Sequence, residues 1–184
     1  TVSIVRYPVS ALSTDIMNDS GLNPPLKEGL PSAADPDCPA VVTSSFANRY
    51  DAVAAINGSY FNVKTLYPTT YVRQGKSVEG HTTPEELVRV DGFVASGSGK
   101  VGVELSDTMS YAKLSKGWKD VLAAGPVLMK DGTKLSGWPL KSFFTGTHPR
   151  SAIGISPDGR VYMIVIDGRF PDKAVGMTIE QTAE

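Results

Sequence analysis

Four short polar clusters in this 184-residue chain follow or interrupt apolar runs that are typical of β-strands. The clusters are Asn57-Gly58-Ser59-Tyr60, Gly125-Pro126, His148-Pro149-Arg150 and Asp167-Gly168-Arg169. A glycine at the end of a buried strand lets backbone N–H groups approach a ligand, and polar side chains beside it can line a cleft. The four clusters are therefore the candidate functional site.

The last two clusters contribute two arginines, Arg150 and Arg169, and one carboxylate, Asp167. A guanidinium is a planar fork that binds two oxygens of a phosphate at once. Two arginines close to one carboxylate would form a site for a phosphorylated or otherwise anionic substrate. The alternative is that Arg150 and Asp167 form only a structural ion pair at the mouth of a hairpin.

The other candidate residues also have structural explanations. Asn57 before glycine is typical of a left-handed turn, and Tyr60 and Phe61 are suited to a core as well as to a sugar-stacking surface. His148 before proline is typical of an exposed loop. Within the sequence we find no P-loop, zinc motif or serine-hydrolase elbow, and a lone cysteine, Cys38, provides no internal disulfide or cysteine-based metal cluster.

The composition further narrows the range of possible partners and functions. Lys plus Arg number 18 and Asp plus Glu 19, for a formal net charge of -1, which argues against a nucleic-acid partner. No cofactor is predicted, although acidic loops leave calcium open. No apolar run approaches the roughly 20 residues of a membrane-spanning helix.

The 18 glycines, 13 prolines and many short β-like runs favour a sheet-rich α+β fold. We expect one domain over residues 1–184, with mixed, mostly antiparallel sheets and a few flanking helices. Residues 20–40 contain five prolines and are predicted to form a loop.

Several elements position the clusters. Strands are predicted over residues 2–7 and 52–56, and hairpins over residues 121–135 and 151–166. The second hairpin turns at residues 156–159, and its second arm is apolar on both faces, which predicts a central strand. This hairpin brings Arg150 and Asp167 to the same end. A short helix is predicted after the capping residue Thr178.

Four segments resemble, in the same order, the phosphodiester glycosidase family. They are AINGSYF, AAGPVLMKDG, HPRSAIGISPDGRVYMIVIDGR and GMTIEQTAE. The third is the most specific, since its proline-arginine, PDG turn and strand ending in Asp-Gly-Arg rarely occur together. The resemblance begins near Val42 and is loose over residues 62–120. The matching positions are Asn57, Gly58, Tyr60, Phe61, Gly125, Pro126, Arg150, Asp167, Gly168 and Arg169.

The resemblance implies a hydrolase that cleaves a sugar 1-phosphodiester or a related glycosidic bond. Asp167 would act as acid/base or nucleophile, or orient Arg150, while Arg150 and Arg169 would stabilise charge on phosphate. Residues 57–60, 125, 126, 148 and 168 would bind substrate. Bacterial members of the family are usually exported, so a secreted, periplasmic or cell-envelope location of the mature chain is expected.

The family pattern continues, after the helix that begins at Thr178, to an aspartate and a Gly/Ser-rich loop. The expectation from this resemblance is that the chain is truncated at its C-terminus. A second chain or a remaining segment would then complete the cleft. Two other functions stay open: a non-catalytic carbohydrate-binding or cell-envelope scaffold protein on the same fold, and a purely structural domain.

Overall fold

The computed structural model describes residues 1–16, 43–64, 68–106 and 111–184. Ten strands lie in these ranges: β1 Val2–Pro8, β2 Val72–Gln74, β3 Ser77–Gly80, β4 Gly92–Gly97, β5 Lys100–Leu105, β6 Asp120–Ala124, β7 Met129–Lys130, β8 Thr133–Lys134, β9 Arg150–Ile155 and β10 Arg160–Ile166. The helices are α1 Thr43–Arg49, α2 Tyr111–Leu114, α3 Ser142–Thr145 and α4 Ile179–Thr182, with a 3₁₀ turn at Glu86–Val88. Cys38 and the predicted loop 20–40 lie outside the described residues.

The strands form three sheets. One has five strands in the order β3-β2-β6-β4-β5, one has three in the order β1-β10-β9, and β7 pairs with β8. Every pairing in these sheets is antiparallel. The prediction of an α+β fold with mostly antiparallel sheets is confirmed. Among the described residues, no helix is long and apolar enough to cross a membrane.

The hairpin of β9 and β10 positions the last two polar clusters. Its register pairs Arg150 with Ile166, and its turn lies at residues 156–159, as predicted. β10 is the central strand between β1 and β9, which explains why it is apolar on both faces. The antiparallel register therefore brings the start of β9 and the end of β10, with the polar residues beside them, to one edge of the sheet.

The main core lies on the five-stranded sheet. Its buried members are Tyr71, Val90, Phe93, Ala95, Tyr111, Val121 and Ala123, with Tyr60 and Trp118 packed against them. Tyr71 stacks on Tyr111, with ring centroids 5.7 Å apart, and Phe93 meets Tyr111 edge to face at 6.3 Å. Since Tyr60 belongs to the first polar cluster, that cluster is anchored on the core.

The strand predicted over residues 52–56 is wrong. These residues join no sheet, and Val53 is 81% exposed. Three of the five residues are alanines, which bury little apolar area and therefore contribute little to strand pairing. By contrast, α4 begins as predicted: the Thr178 side chain accepts from the Gln181 N–H at 3.1 Å, and Gln181 Oε1 accepts from the Thr178 N–H at 3.0 Å.

Two phenylalanines provide a test of this core. Phe93 is 1% exposed and Phe170 is 61% exposed. We expect Phe93→Ala to lower the free energy of unfolding by about 3–5 kcal/mol, because it opens a cavity in the core. Phe170→Ala, the matched control, should change it by less than about 0.5 kcal/mol. Urea denaturation measures both, and equal effects of the two substitutions would contradict this assignment of the core.

Candidate active site

Arg150 is the centre of the candidate site. It is only 9% exposed. Its Nε donates to the carbonyl of Met177 at 3.0 Å, and its Nη2 donates to the carbonyls of Phe143 and Gly146 at 2.7 and 3.1 Å. Arg150 therefore ties α3 and the segment before α4 to the first residue of β9.

The third and fourth clusters pack backbone against backbone. A Cβ added to Gly168 would overlap Pro149, and one added to Gly176 would overlap the His148 carbonyl group. His148 and Met177 exchange two backbone hydrogen bonds, of 3.2 and 3.0 Å. Glycine is required at both positions because the chain segments approach so closely.

The interpretation that Arg150 and Asp167 form an ion pair is wrong. The Asp167 carboxylate is 51% exposed and lies 3.6 Å from the amino group of Thr1. Arg150 pairs across the hairpin with Ile166, so these two side chains share one face of the sheet. Asp167 is the next residue, and successive side chains of an extended chain point to opposite faces.

In the part of the chain that the structure describes, Arg150 has no carboxylate partner. Among the described residues, no carboxylate lies within 4.0 Å of the guanidinium of either Arg150 or Arg169. Burial lowers the pKa of Arg150, and the positive charge of the nearby Arg169 lowers it further. Arg169 is exposed and has a φ of +62°, an uncommon conformation for a residue other than glycine. Two neighbouring cations therefore remain available to an anionic ligand.

Two hydrogen bonds join the first cluster to the second cluster and to Ser151, the residue after the third cluster. The Ser151 hydroxyl, at the start of β9, donates to Asn57 Oδ1 at 2.6 Å. The Tyr60 hydroxyl donates to the carbonyl of Gly125 at 2.7 Å. Burial raises the pKa of Tyr60 to about 12, so the phenol stays protonated and keeps donating at neutral pH.

The remaining predicted residues lie around these contacts. Gly58 is exposed, and Pro126 is half-buried after Gly125. The buried Ser59 hydroxyl has no hydrogen-bond partner in the part of the chain that the structure describes. His148 is half-buried, with its Nε2 3.2 Å from the carbonyl of Ser142. Tyr60 thus connects the first and second clusters, and the close approach of Gly168 to Pro149 connects the third and fourth.

Two charged residues beside Tyr60 were missed. Glu86 is only 6% exposed and accepts two hydrogen bonds from Arg89, one from Nε at 2.5 Å and one from Nη2 at 2.8 Å. Thr69 Oγ1 donates to the same carboxylate at 3.1 Å. The guanidinium carbon of Arg89 lies 4.2 Å from the centroid of the Tyr60 ring. The i, i+3 spacing of Glu86 and Arg89 was a usable signal, because opposite charges three residues apart attract each other on a helical turn.

The Phe143 ring contacts both Arg89 and Arg150. The centroid of Phe143 lies 5.0 Å from the guanidinium carbon of Arg89 and 5.0 Å from that of Arg150. Its ring also meets Tyr60 edge to face, with centroids 5.8 Å apart. Two cations can approach one ring from different sides because the faces of the ring are electron-rich.

Asp91 supports the turn that contains Gly125. Its Oδ1 accepts from the Val127 N–H at 2.7 Å. A Cβ on Gly125 would overlap the Arg89 carbonyl and approach Asp91 Oδ1 to 2.8 Å. Glycine is therefore required in this turn, and the requirement also explains why the second cluster contains it.

A cavity of about 140 Å³ lies elsewhere, between the segment after β1 and the β4–β5 turn. None of the candidate site residues lines it. Within the described ranges, no group of three or more His, Cys, Asp or Glu residues is arranged to hold a metal ion. The candidate site is thus defined by the contacts among its arginines, aromatic rings and backbone carbonyls.

A family model for phosphodiester glycosidases matches residues 50–184. The chain belongs to the phosphodiester glycosidase family. All four polar clusters lie within the matched range, together with Glu86, Arg89 and Phe143. Membership of this family supports a glycosidase-like hydrolase activity in general. No curated protein matches the chain.

The half-buried carboxyl group of Asp91 leads to a prediction of how stability depends on pH. Burial raises its pKa above the ordinary 3.8, so folding favours the protonated form. Its contribution to stability is full below about pH 4 and is lost as the pH rises through the folded-state pKa. Asparagine keeps an oxygen for the Val127 N–H but does not titrate. We therefore expect the stability of Asp91→Asn, relative to wild type, to increase between pH 3.5 and pH 7.

Urea denaturation at several pH values measures that difference. Asp131→Asn, which makes the same charge change in the exposed β7–β8 turn, is the control. If the stability of Asp91→Asn relative to wild type stays constant or falls as the pH rises, burial does not raise the pKa of this carboxyl group.

Proposed function

We propose that this protein hydrolyses the bond between the anomeric carbon of a sugar and a phosphodiester group. The observation that supports the proposal is the burial of Arg150 together with the nature of its hydrogen-bond partners. Its guanidinium is buried, and its hydrogen bonds go to neutral carbonyls. Burying a charge without an opposite charge costs free energy, and a bound anion would offset that cost.

The geometry of the Arg150 hydrogen bonds leaves donors for a ligand. Nε and Nη2 are used by Met177, Phe143 and Gly146. Nη1 forms no hydrogen bond to the residues that the structure describes, so its two N–H groups are available. The positive charge of Arg169 would also attract a phosphodiester oxygen bound there. This pair suits an anionic leaving group better than a neutral alcohol.

In the proposed reaction the C–O bond between the anomeric carbon and the phosphate oxygen breaks. The sugar passes through an oxocarbenium-like transition state while negative charge grows on the phosphate. Arg150 and Arg169 stabilise that charge. Water supplies a hydroxyl group to the sugar, and the phosphate leaves as a monoester.

Asp167 is the candidate to assist the attack on the anomeric carbon. It lies at the same end of the hairpin as Arg150 but on the opposite face, so a substrate that contacts both residues would lie across that end. Its carboxylate is half exposed, so water and substrate can reach it. It would serve as a general base toward water or as a nucleophile toward the sugar. Glycosidases ordinarily use two carboxylates, and we propose that the second comes from a further segment or chain. Ser151 follows Arg150 in β9, so its side chain lies on the opposite face of the strand, and together with its hydrogen-bond partner Asn57 it would contact sugar hydroxyls.

Substitution of Arg150 tests the proposal. The assay measures release of reducing sugar from the methyl ester of a hexose 1-phosphate. We expect Arg150→Gln to lower kcat/KM by about 10²-fold or more, because the charge that develops on phosphate loses its stabiliser. Asp167→Asn should lower kcat by a similar factor of about 10²–10⁴.

Arg6→Gln is the matched control, since Arg6 is an exposed arginine of β1 that pairs with Tyr162, away from the hairpin end. It should keep nearly wild-type turnover. If wild-type protein, assayed together with the segment or chain that supplies the second carboxylate, binds the ester but does not release sugar, the protein is a binding protein rather than an enzyme. Equal activity of Arg150→Gln and wild type would remove the basis of the proposal.

A further inference from the structure

The buried carboxylate of Glu86 fixes the orientation of the Arg89 guanidinium plane. Both oxygens of Glu86 accept from it, and Thr69 Oγ1 holds one of those oxygens in turn. The hydrogen bonds to Glu86 raise the pKa of Arg89. A two-point contact of this kind orients a guanidinium as well as holding it. The pair is formally neutral, so Arg89 adds little net charge to the site.

The fixed guanidinium lies against two aromatic rings. Its carbon atom is 4.2 Å from the Tyr60 centroid and 5.0 Å from the Phe143 centroid. Cation–π contacts of this length are attractive, and a guanidinium can also stack its plane on a ring. Arg89 therefore restrains both rings at once.

Each ring in turn holds a part of the candidate site. The Tyr60 hydroxyl donates to the Gly125 carbonyl at 2.7 Å, which fixes the turn of the second cluster. The Phe143 carbonyl accepts from Arg150 Nη2 at 2.7 Å, while the Phe143 ring lies 5.0 Å from the Arg150 guanidinium carbon. A continuous set of contacts thus runs from Glu86 through Arg89 to Arg150.

We propose that Arg89 is a positioning residue for Arg150, the phosphate-binding arginine. Glu86 holds Arg89, and Arg89 fixes the positions of the Phe143 and Tyr60 rings. Phe143 in turn fixes the position of the Arg150 guanidinium. The inference rests on the proposed function in so far as Arg150 binds the phosphate group. Arg89 acts here through geometry and not through charge. Lysine, which cannot make the two-point contact with Glu86 or stack as a plane, should not replace it.

The experiment compares Arg89→Lys, Arg89→Gln and the double variant Glu86→Gln/Arg89→Gln with wild type. Arg6→Gln is the control for loss of one positive charge. Isothermal titration calorimetry with inorganic phosphate measures anion affinity. A second readout follows the ring ¹³C signals of Tyr60 in tyrosine-labelled protein. The chain has seven tyrosines, and Tyr60→Phe assigns the signal.

We expect both single Arg89 substitutions to weaken phosphate binding by about threefold to tenfold and to shift the Tyr60 ring signals. Arg6→Gln should change the affinity by less than about twofold and leave those signals in place. Wild-type affinity and unshifted signals in Arg89→Lys would overturn the inference, because charge alone would then suffice. The double variant leaves no unpaired buried carboxylate, so it gives the same comparison if Arg89→Gln fails to fold.

The two readouts separate this inference from the proposed function. If wild-type protein does not bind phosphate, the anion site at Arg150 is wrong. The Tyr60 signals then decide the role of Arg89 independently, since a shift in Arg89→Lys with none in Arg6→Gln supports the positioning role. Unchanged signals in all Arg89 variants refute it.

Discussion

The hydrogen bonds of the buried Arg150 guanidinium hold the candidate site together. Two of its nitrogens donate to three backbone carbonyls, which belong to α3, to the residue after it and to the segment before α4. Hydrogen bonds from a charged donor are worth about 1.5–3 kcal/mol each, more than neutral ones. Because Arg150 is also the first residue of β9, these bonds fix two segments outside the sheets against the β9–β10 hairpin.

The two arginines that contact Phe143, Arg89 and Arg150, have opposite electrostatic surroundings. Arg89 is neutralised by Glu86, whereas the acceptors of Arg150 within the described ranges are all carbonyls and its charged neighbour there is Arg169. The first arrangement suits a structural restraint, and the second leaves positive charge for a ligand. This difference follows from where each arginine lies: Arg89 ends a 3₁₀ turn three residues after a glutamate, while Arg150 opens a strand opposite Ile166.

The sequence was sufficient to predict features that depend on local pattern. The PDG turn and the doubly apolar arm specified the hairpin and its central strand, and Thr178 specified the start of α4. The glycines at 125 and 168 were expected to let a ligand approach the backbone, whereas in the structure they allow close contacts between chain segments. The prediction of an Arg150–Asp167 pair was wrong because the strand register, which the sequence does not state, pairs Arg150 with Ile166. Asp167 is the next residue, so its side chain points to the opposite face. The contacts of Arg89 with Tyr60 and Phe143 join residues far apart in the chain, so no spacing rule could reveal them.

The most direct test of this account is a ¹⁵N NMR titration of the arginine Nε–H signals with a hexose 1-phosphate. The burial of Arg150 and its bond to the Met177 carbonyl should make its signal observable. We expect the Arg150 signal to shift and saturate, the Arg169 signal to follow the same curve, and the Arg6 signal to stay in place. A titration in which Arg150 does not respond, or in which Arg6 responds equally, would contradict the central claim that the buried guanidinium is the anion-binding group.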